Sequence, residues 1–541
     1  MSEIRFWQVL ALIFVVFGYF SCGLALKSGL AVPAILYWSL FLAIPCISLL
    51  LVSDNETYNI LLLLTVAFSV YSMYFLQNLP WYPAGRDTQF EMQIASLIFD
   101  TGKWAPMMGT SMGPELSYHP MMHILTASFS LITGINPYQA MFIIPWLKGI
   151  GLTLFFYLFA RNFLSNPRNV FFASMLFMGC VFFLGFPHRE IFAEIFFMGA
   201  LWIYTKKKID IKMKTVLVLL IFALAASHHF TSYIFLLLSV ALYLFDRRRK
   251  IIHPLLPAMI ILSWMLFISF SVTYGYITTF LNALGKVMTL TRTVGPTLAA
   301  TSYYYTPFEN LLILLNPILI GMMALLPFLK ELRSRKRTSL LTITFILGGL
   351  FVVGILFLLF KTSMGVSFSR VWGFAYIPLS IWASMFFWEK FRNTRLHTIL
   401  SLAIITILFV SMNLSVLSGI KRWYVPPTYM ETFMFSDSMV NTAYWCNANL
   451  NGSILADNLA YCSVGSWGYQ EVDEYTFIQW YRTKNNELLS AFDYIILSPW
   501  DKVTYSDTFR EPIDPFALLP EGLNVIYSSR DLVVYCNSTI D

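Results

Sequence analysis

Apolar stretches of about 17 to 25 residues recur from Phe6 to Leu417, each long enough to cross a roughly 30 Å hydrocarbon layer as a helix. Hydrocarbon offers no water to the backbone, so each stretch must close its N–H and C=O groups within itself as a helix. Composition agrees: 57% of the 541 residues are hydrophobic and 12% charged, against about 25% charged in a soluble protein. The sequence therefore predicts an α-helical polytopic membrane protein. The first stretch has no small-residue cleavage site after it and reads as an uncleaved span.

Length and flanking polarity place about thirteen spans, at approximately 6–26, 34–53, 57–77, 137–160, 170–186, 190–205, 213–228, 230–246, 254–275, 307–329, 338–360, 371–388 and 397–418. Lysine and arginine stay on the cytoplasmic side in short loops. Arg161 to Arg168, Lys206-Lys207-Lys208, Arg247 to Lys250, Arg333 to Arg337 and Arg392 to Arg395 all fall on one face. That face, with the N-terminus, is read as cytoplasmic in a multi-pass cell-membrane protein. The formal charge of +7 follows from this bias and gives no reason to invoke nucleic acid.

After Leu417 the composition changes. Residues 421–541 form a polar tail that the alternation places outside the cell. Tyr494-Ile495-Ile496-Leu497 and Leu532-Val533-Val534-Tyr535 read as short strands and Ser436 to Trp445 as a helix, which predicts an external α/β domain. Cys446, Cys462 and Cys536 lie in it, and an outside location permits a disulfide between two of them. Asn451-Gly452-Ser453 and Asn537-Ser538-Thr539 are glycosylation sequons on the same side.

One polar segment, Trp81 to Thr133, interrupts the apolar pattern within a large external loop, 78–136. It contains Gly85-Arg86-Asp87-Thr88-Gln89-Phe90-Glu91 and Tyr118-His119-Pro120. Ionisable side chains near a bilayer are costly, so Arg86 and Asp87 beside a span mark a functional segment by default. Thr88 to Glu91 has capping-box spacing, and Phe90, Ile94, Leu97 and Ile98 then repeat at helical intervals. This predicts an amphipathic helix with Asp87 at its first turn, where the helix dipole alone also favours a carboxylate. The apolar stretch that ends at Gly134 is too short to span and is expected to be an interfacial or re-entrant helix.

Other external turns carry candidate chemistry. His188-Arg189-Glu190, with Glu194 one turn on, places two carboxylates on one helix face. They could help Asp87 hold a divalent metal or activate a hydroxyl, or could simply neutralise Arg189. His228-His229 occupies the next turn, where adjacent histidines point apart; phosphate contact or helix capping suits them better than a shared metal. Arg370, at the outer end of a span, could bind a lipid phosphate bidentately or snorkel to the interface. Arg292 is a weaker candidate of that kind. No Walker loop, dinucleotide fingerprint, zinc spacing or nucleophile elbow occurs in the right context, so no nucleotide cofactor is expected.

These residues resemble those of the GT-C polytopic glycosyltransferases, which include oligosaccharyltransferase catalytic subunits, protein O-mannosyltransferases and aminoarabinose transferases, with a closer likeness to archaeal membrane proteins of this type. The matching features are Gly85-Arg86-Asp87 in the first large external loop, Tyr118-His119-Pro120 leading into a juxtamembrane helix, and Glu190 as a second acidic site. Residues 57–420 would form the GT-C-like module. Residues 1–56 add two helices, Met121 replaces a second proline, and the acidic turn lacks an aspartate-x-glutamate pair. Absence of a Trp-Trp-Asp sequence disfavours asparagine-linked transfer. The resemblance implies that a sugar passes from a polyprenyl-phosphate donor to a protein, lipid or glycan acceptor on the outer face. Asp87 and Glu190 would be catalytic, with Arg86, His119, His188, Arg189, His228 and Arg370 binding substrate. Asp87, Glu190 and Glu194 would be possible ligands for magnesium or manganese. A flippase for lipid-linked saccharide and a non-catalytic envelope assembly protein are the competing classes. The flippase predicts mid-span polar residues and internal repeats, of which the sequence shows few and none respectively.

Overall fold

The computed structural model describes residues 3–28, 30–77, 86–105, 117–141, 143–179, 189–206, 208–245, 253–288, 307–334, 338–359, 371–391, 395–413, 437–457, 460, 464, 472–473, 475–498, 515–520, 523–529 and 532–536. Helices α1 (Glu3–Lys27), α2 (Ala34–Leu51) and α3 (Glu56–Gln77) come first. Then come α4 (Arg86–Thr101), α5 (Met121–Thr133), α6 (Pro137–Ala140), α7 (Ile143–Arg161), α8 (Pro167–Met178), α9 (Arg189–Tyr204), α10 (Ile211–Ala225) and α11 (His229–Phe245). α12 (Leu255–Phe267), α13 (Phe270–Met288), α14 (Pro307–Arg333), α15 (Ser339–Leu359), α16 (Val371–Phe391) and α17 (Arg395–Asn413) complete the apolar part. The tail supplies α18 (Asp437–Asn449), β1 (Ile454–Ala456), β2 (Val472–Asp473), α19 (Tyr475–Thr483), β3 (Tyr494–Leu497), β4 (Asn524–Ser528) and β5 (Val533–Cys536).

The chain divides into two compact units. One comprises Met1–Gln77, Ile143–Gly185 and Arg189–Lys421; the other comprises Asn78–Phe142, Phe186–His188 and Arg422–Asp541. The polar loop after α3 therefore shares a unit with the C-terminal tail.

Among the described residues, three helical segments are long and apolar enough to cross a membrane: Phe6–Ala25, Leu315–Arg333 and Ser339–Leu356. Six shorter apolar helices accompany them. This does not confirm about thirteen full-length spans. The 254–275 stretch differs most clearly, because it breaks into α12 and α13, bent by 101°. The Ser269 N–H closes α12 on the Trp264 carbonyl at 3.1 Å, and the Ser269 carbonyl then accepts the Thr273 N–H at 3.0 Å to begin α13. Unbroken apolar sequence across this junction conceals the turn.

In lipid, helices gain little hydrophobic free energy by touching each other, so small residues and interhelical hydrogen bonds carry much of the association. Asn316 of α14 precedes Pro317, whose ring removes a backbone donor. Its side-chain amide donates to the Gly179 carbonyl at 2.8 Å and to Ser411 Oγ at 2.9 Å, and its carbonyl accepts from Tyr376 OH at 3.0 Å. Residues from α14, α16 and α17, with the glycine closing α8, thereby meet at one buried amide. At one end of the unit, Arg161 pairs with Glu56 at 3.1 Å and Arg168 with Asp54 at 2.8 Å. These exposed bridges are worth about 0–1 kcal/mol each and mark position more than they stabilise.

In the other unit the sheet order is β2-β1-β3-β5-β4, with β1 parallel to β2 and β3 and the remaining pairs antiparallel. Phe477 and Trp480 of α19 pack with Leu455, Ile495 and Leu497. The expected α/β module is present, with the helix and both strands read from the sequence. Gly452 sits at φ +153°, where a Cβ would lie 2.3 Å from Asp493 Oδ2, so the middle position of the first sequon requires glycine. Cys446 is buried, Cys536 half-buried, and both are free thiols; Cys462 lies outside the described residues.

Two expectations follow. Asn316→Ala removes one hydrogen bond from each of three neighbours and should lower stability by about 1–2 kcal/mol. Combined with Tyr376→Phe, it should show non-additive melting in detergent; strictly additive losses would contradict the shared amide. Burial pushes the Cys446 thiol up to about 12 from 9.0. The contribution of this group to stability is thus complete below pH 9 and is lost as pH rises toward 12. Peptide mass spectrometry after maleimide treatment at pH 8 should find Cys446 unmodified in the folded protein and modified after denaturation.

Candidate functional site

The polar loop builds its site on two helices. α4 starts at Arg86, two residues ahead of the predicted cap at Thr88, consistent with a first-turn carboxylate at Asp87 stabilising the helix dipole. Ile94 and Ile98 of α4 pack against Ala127, with Phe99, Trp104 and Ile124 around them, so α4 and α5 share an apolar seam. The buried Glu91, read from the sequence as the far end of a capping box, meets His123 of α5 through Oε2 and Nε2, and both side chains are 0% exposed. His123 lies in the apolar stretch after Pro120, where the sequence alone assigns it no chemistry. A histidine three residues after Tyr-His-Pro and a glutamate at the end of a capping box each have a local explanation, which hides the pair.

His119 is also fully buried, beside Ser117, whose carbonyl accepts from Trp104 Nε1 at 2.8 Å. α5 is 13 residues long, about 20 Å at 1.5 Å per residue, which falls short of a hydrocarbon layer. It ends on Gly134 at φ +72°, whose N–H donates to the Ser130 carbonyl. Leu131 and Ile132, 62% and 85% exposed, lie at that end, in keeping with the non-spanning helix expected.

In the apolar unit, Lys148 of α7 and Glu194 of α9 form a 3.3 Å ion pair with side chains 0% and 10% exposed. Glycines one and three residues after the lysine explain how the helices come so near. A Cβ on Gly149 would lie 2.1 Å from the Tyr71 ring of α3, and one on Gly151 would lie 3.0 Å from Ile195 of α9. Lys148 is a residue that reading for span length passed over. A single lysine in an apolar run is nonetheless a signal in its own right.

His228 Nδ1 accepts the Thr231 N–H at 3.4 Å and lies 3.0 Å from its hydroxyl, so His228 caps α11, one of the roles foreseen for this turn. The His229 ring stacks near Tyr276, with centroids 4.1 Å apart. Close by, Phe230, Tyr233, Leu237, Tyr276, Phe280 and Leu350 line an apolar cavity of about 280 Å³. α4 and α9 begin at Arg86 and Arg189, but the side chains of Arg86, Asp87, Arg189 and Glu190 lie outside the described ones, as do His188, Arg292 and Arg370. Among the described residues, no three His, Cys, Asp or Glu side chains group closely enough to hold a metal.

No protein-family model matches the chain, and no curated protein matches it in sequence. Solved structures do match. Archaeal oligosaccharyltransferase AglB from Archaeoglobus fulgidus, in complex with an inhibitory peptide and a dolichol-phosphate, aligns with a TM-score of 0.57 at 13% identity, covering 90% of this chain and 75% of that one. ArnT from Cupriavidus metallidurans, bound to undecaprenyl phosphate, gives 0.52 at 11% identity, covering 94% and 99%. Arabinofuranosyltransferase AftD from Mycobacteria gives 0.50 at 11% identity, covering 90% of this chain and 40% of AftD. The chain has a GT-C-like membrane fold.

Removing one partner of a buried ion pair leaves the other charge stranded at about 3–5 kcal/mol, whereas replacing both with apolar groups is often neutral. Lys148→Met should therefore lower the melting temperature strongly and Lys148→Met/Glu194→Met should restore most of it; equal losses in the two would show that the pair is not coupled.

Proposed function

We propose that this chain is a membrane glycosyltransferase that transfers a sugar from a polyprenyl-phosphate-linked donor to an acceptor on the outer face of the membrane. The observation that carries the reading is the construction of the polar loop on a GT-C-like fold: α4 opens on Arg86-Asp87 and is held against α5 through Glu91 and His123. A carboxylate at a fixed helix start is suited to general-base work. In the reaction, an acceptor hydroxyl gives its proton to Asp87 as its oxygen bonds to the anomeric carbon. The bond from that carbon to the phosphate oxygen breaks, and polyprenyl phosphate leaves with both electrons. Arg370 neutralises the departing phosphate, while Arg86, His119, His188 and Arg189 are assigned to the donor and acceptor. His228 already caps α11, so its part is to fix that helix end.

Asp87 is the residue that would hold magnesium or manganese. Glu194 fits such an ion poorly, because its carboxylate already faces the Lys148 ammonium. The aromatic cavity bounded by Phe230, Tyr233, Tyr276 and Phe280 suits a methyl-branched isoprenoid tail, being apolar and framed by rigid rings. A lipid-carried donor agrees with a sequence that has no nucleotide motif. The reading places the N-terminus in the cytoplasm and the C-terminal domain outside.

Asp87→Asn should abolish incorporation of labelled sugar from a polyprenyl-phosphate donor; unchanged transfer would sink the catalytic reading. Tyr276→Trp, which fills the cavity, should raise KM for long-chain donors several-fold and leave a short-chain donor within about twofold. An equal effect on both chain lengths would remove the tail from this cavity.

A further inference from the structure

Two helices of this chain begin alike. α4 opens with Arg86-Asp87 and carries Glu91; α9 opens with Arg189-Glu190 and carries Glu194. In each, arginine is the first helical residue, a carboxylate is the second, and a glutamate follows four residues later, one turn along the same face. In each, the later glutamate is buried, Glu91 at 0% and Glu194 at 8% exposed. Both are joined to a basic side chain on the adjoining helix, His123 of α5 in one case and Lys148 of α7 in the other. The helices belong to different units and their partners to different stretches of sequence. Shared packing therefore does not explain the likeness.

Well-packed apolar residues usually stabilise such a position at least as well as an ion pair, so burying the charge needs another explanation. The first turn of a helix has no intrahelical partners for its N–H groups and is the turn that frays. A carboxylate there keeps a set position only if the next turn is fixed. A buried, directional pair fixes it in rotation as well as depth, which an apolar contact does less sharply. Displacement of a reacting group by 1 Å can cost about a hundredfold in rate.

We propose that Glu91–His123 and Glu194–Lys148 are positioning pairs, each clamping the second turn of its helix and so setting where the first-turn carboxylate, Asp87 or Glu190, stands for the transfer reaction. The inference rests on the reading of Asp87 and Glu190 as the acids of the transfer site. The four paired residues need not touch substrate.

The test uses the full chain in nanodiscs, with the dolichyl-phosphate sugar, mannose or glucose, that the wild type turns over. Glu91→Gln retains a hydrogen bond with His123, and Lys148→Met/Glu194→Met retains packing without charge. Both should keep melting temperatures within a few degrees of wild type and donor KM within about twofold, while kcat per folded molecule falls about 10- to 100-fold. A second comparison guards against poor folding: His123→Gln, which still donates to Glu91, should retain most of the rate that His123→Leu loses. If kcat is unchanged, or falls only as the folded fraction falls, the pairs are structural and the inference is overturned. Full transfer by Asp87→Asn overturns both the site reading and this inference; an inactive Asp87→Asn beside fully active pair variants overturns the inference alone.

Discussion

The approach of α7 to α3 and α9 is the constraint on which the apolar unit turns. Tyr71 lies over Gly149 and Ile195 over Gly151, leaving no room for a methyl group on the first glycine and little on the second. Helices that close are near enough to shut Lys148 away from solvent, and a buried ammonium then demands an anion. Glu194 supplies it from α9. Two missing side chains thus determine where two charges must meet. The geometry runs from backbone proximity to electrostatics, because the pair could not form across helices held apart by larger residues.

Polar groups elsewhere follow the same logic with different chemistry. Asn316 places three hydrogen bonds among four elements without any charge, and its amide is saturated by neighbours drawn from distant parts of the sequence. In the other unit, Asp457 takes the Ala460 N–H at 2.8 Å and the Ser498 N–H, tying together the ends of β1 and β3. These groups have their bonding capacity occupied and read as architecture. The glutamate pairs differ in standing one turn behind a carboxylate at a helix start.

Much of this was legible in the sequence. Apolar run length located most of the helices, and short apolar runs located β3 and β5, because each leaves its mark within a short window. The short helix after Pro120 was legible from its length. The bend at Ser269 was not, since the residues on both sides are apolar and serine is common in spans. At the site, Asp87 and Glu190 were singled out by their position beside spans, whereas Glu91–His123 and Lys148–Glu194 join residues 32 and 46 positions apart. Pairings at that distance leave no periodic trace. Only the cost of an isolated lysine in an apolar stretch hinted at one of them.

The sidedness of a membrane chain is a matter of odd or even, which gives the bend between α12 and α13 a reach far beyond Ser269. With the other spans taken as the sequence predicts them, the arginine- and lysine-rich loops share one face only if these two helices together make one crossing. Were each a crossing of its own, the loop at Arg333 and everything after it, the C-terminal domain included, would change sides relative to Arg161 and Lys206. A right-angled turn at a single buried serine thus acts as the parity bit of the whole topology.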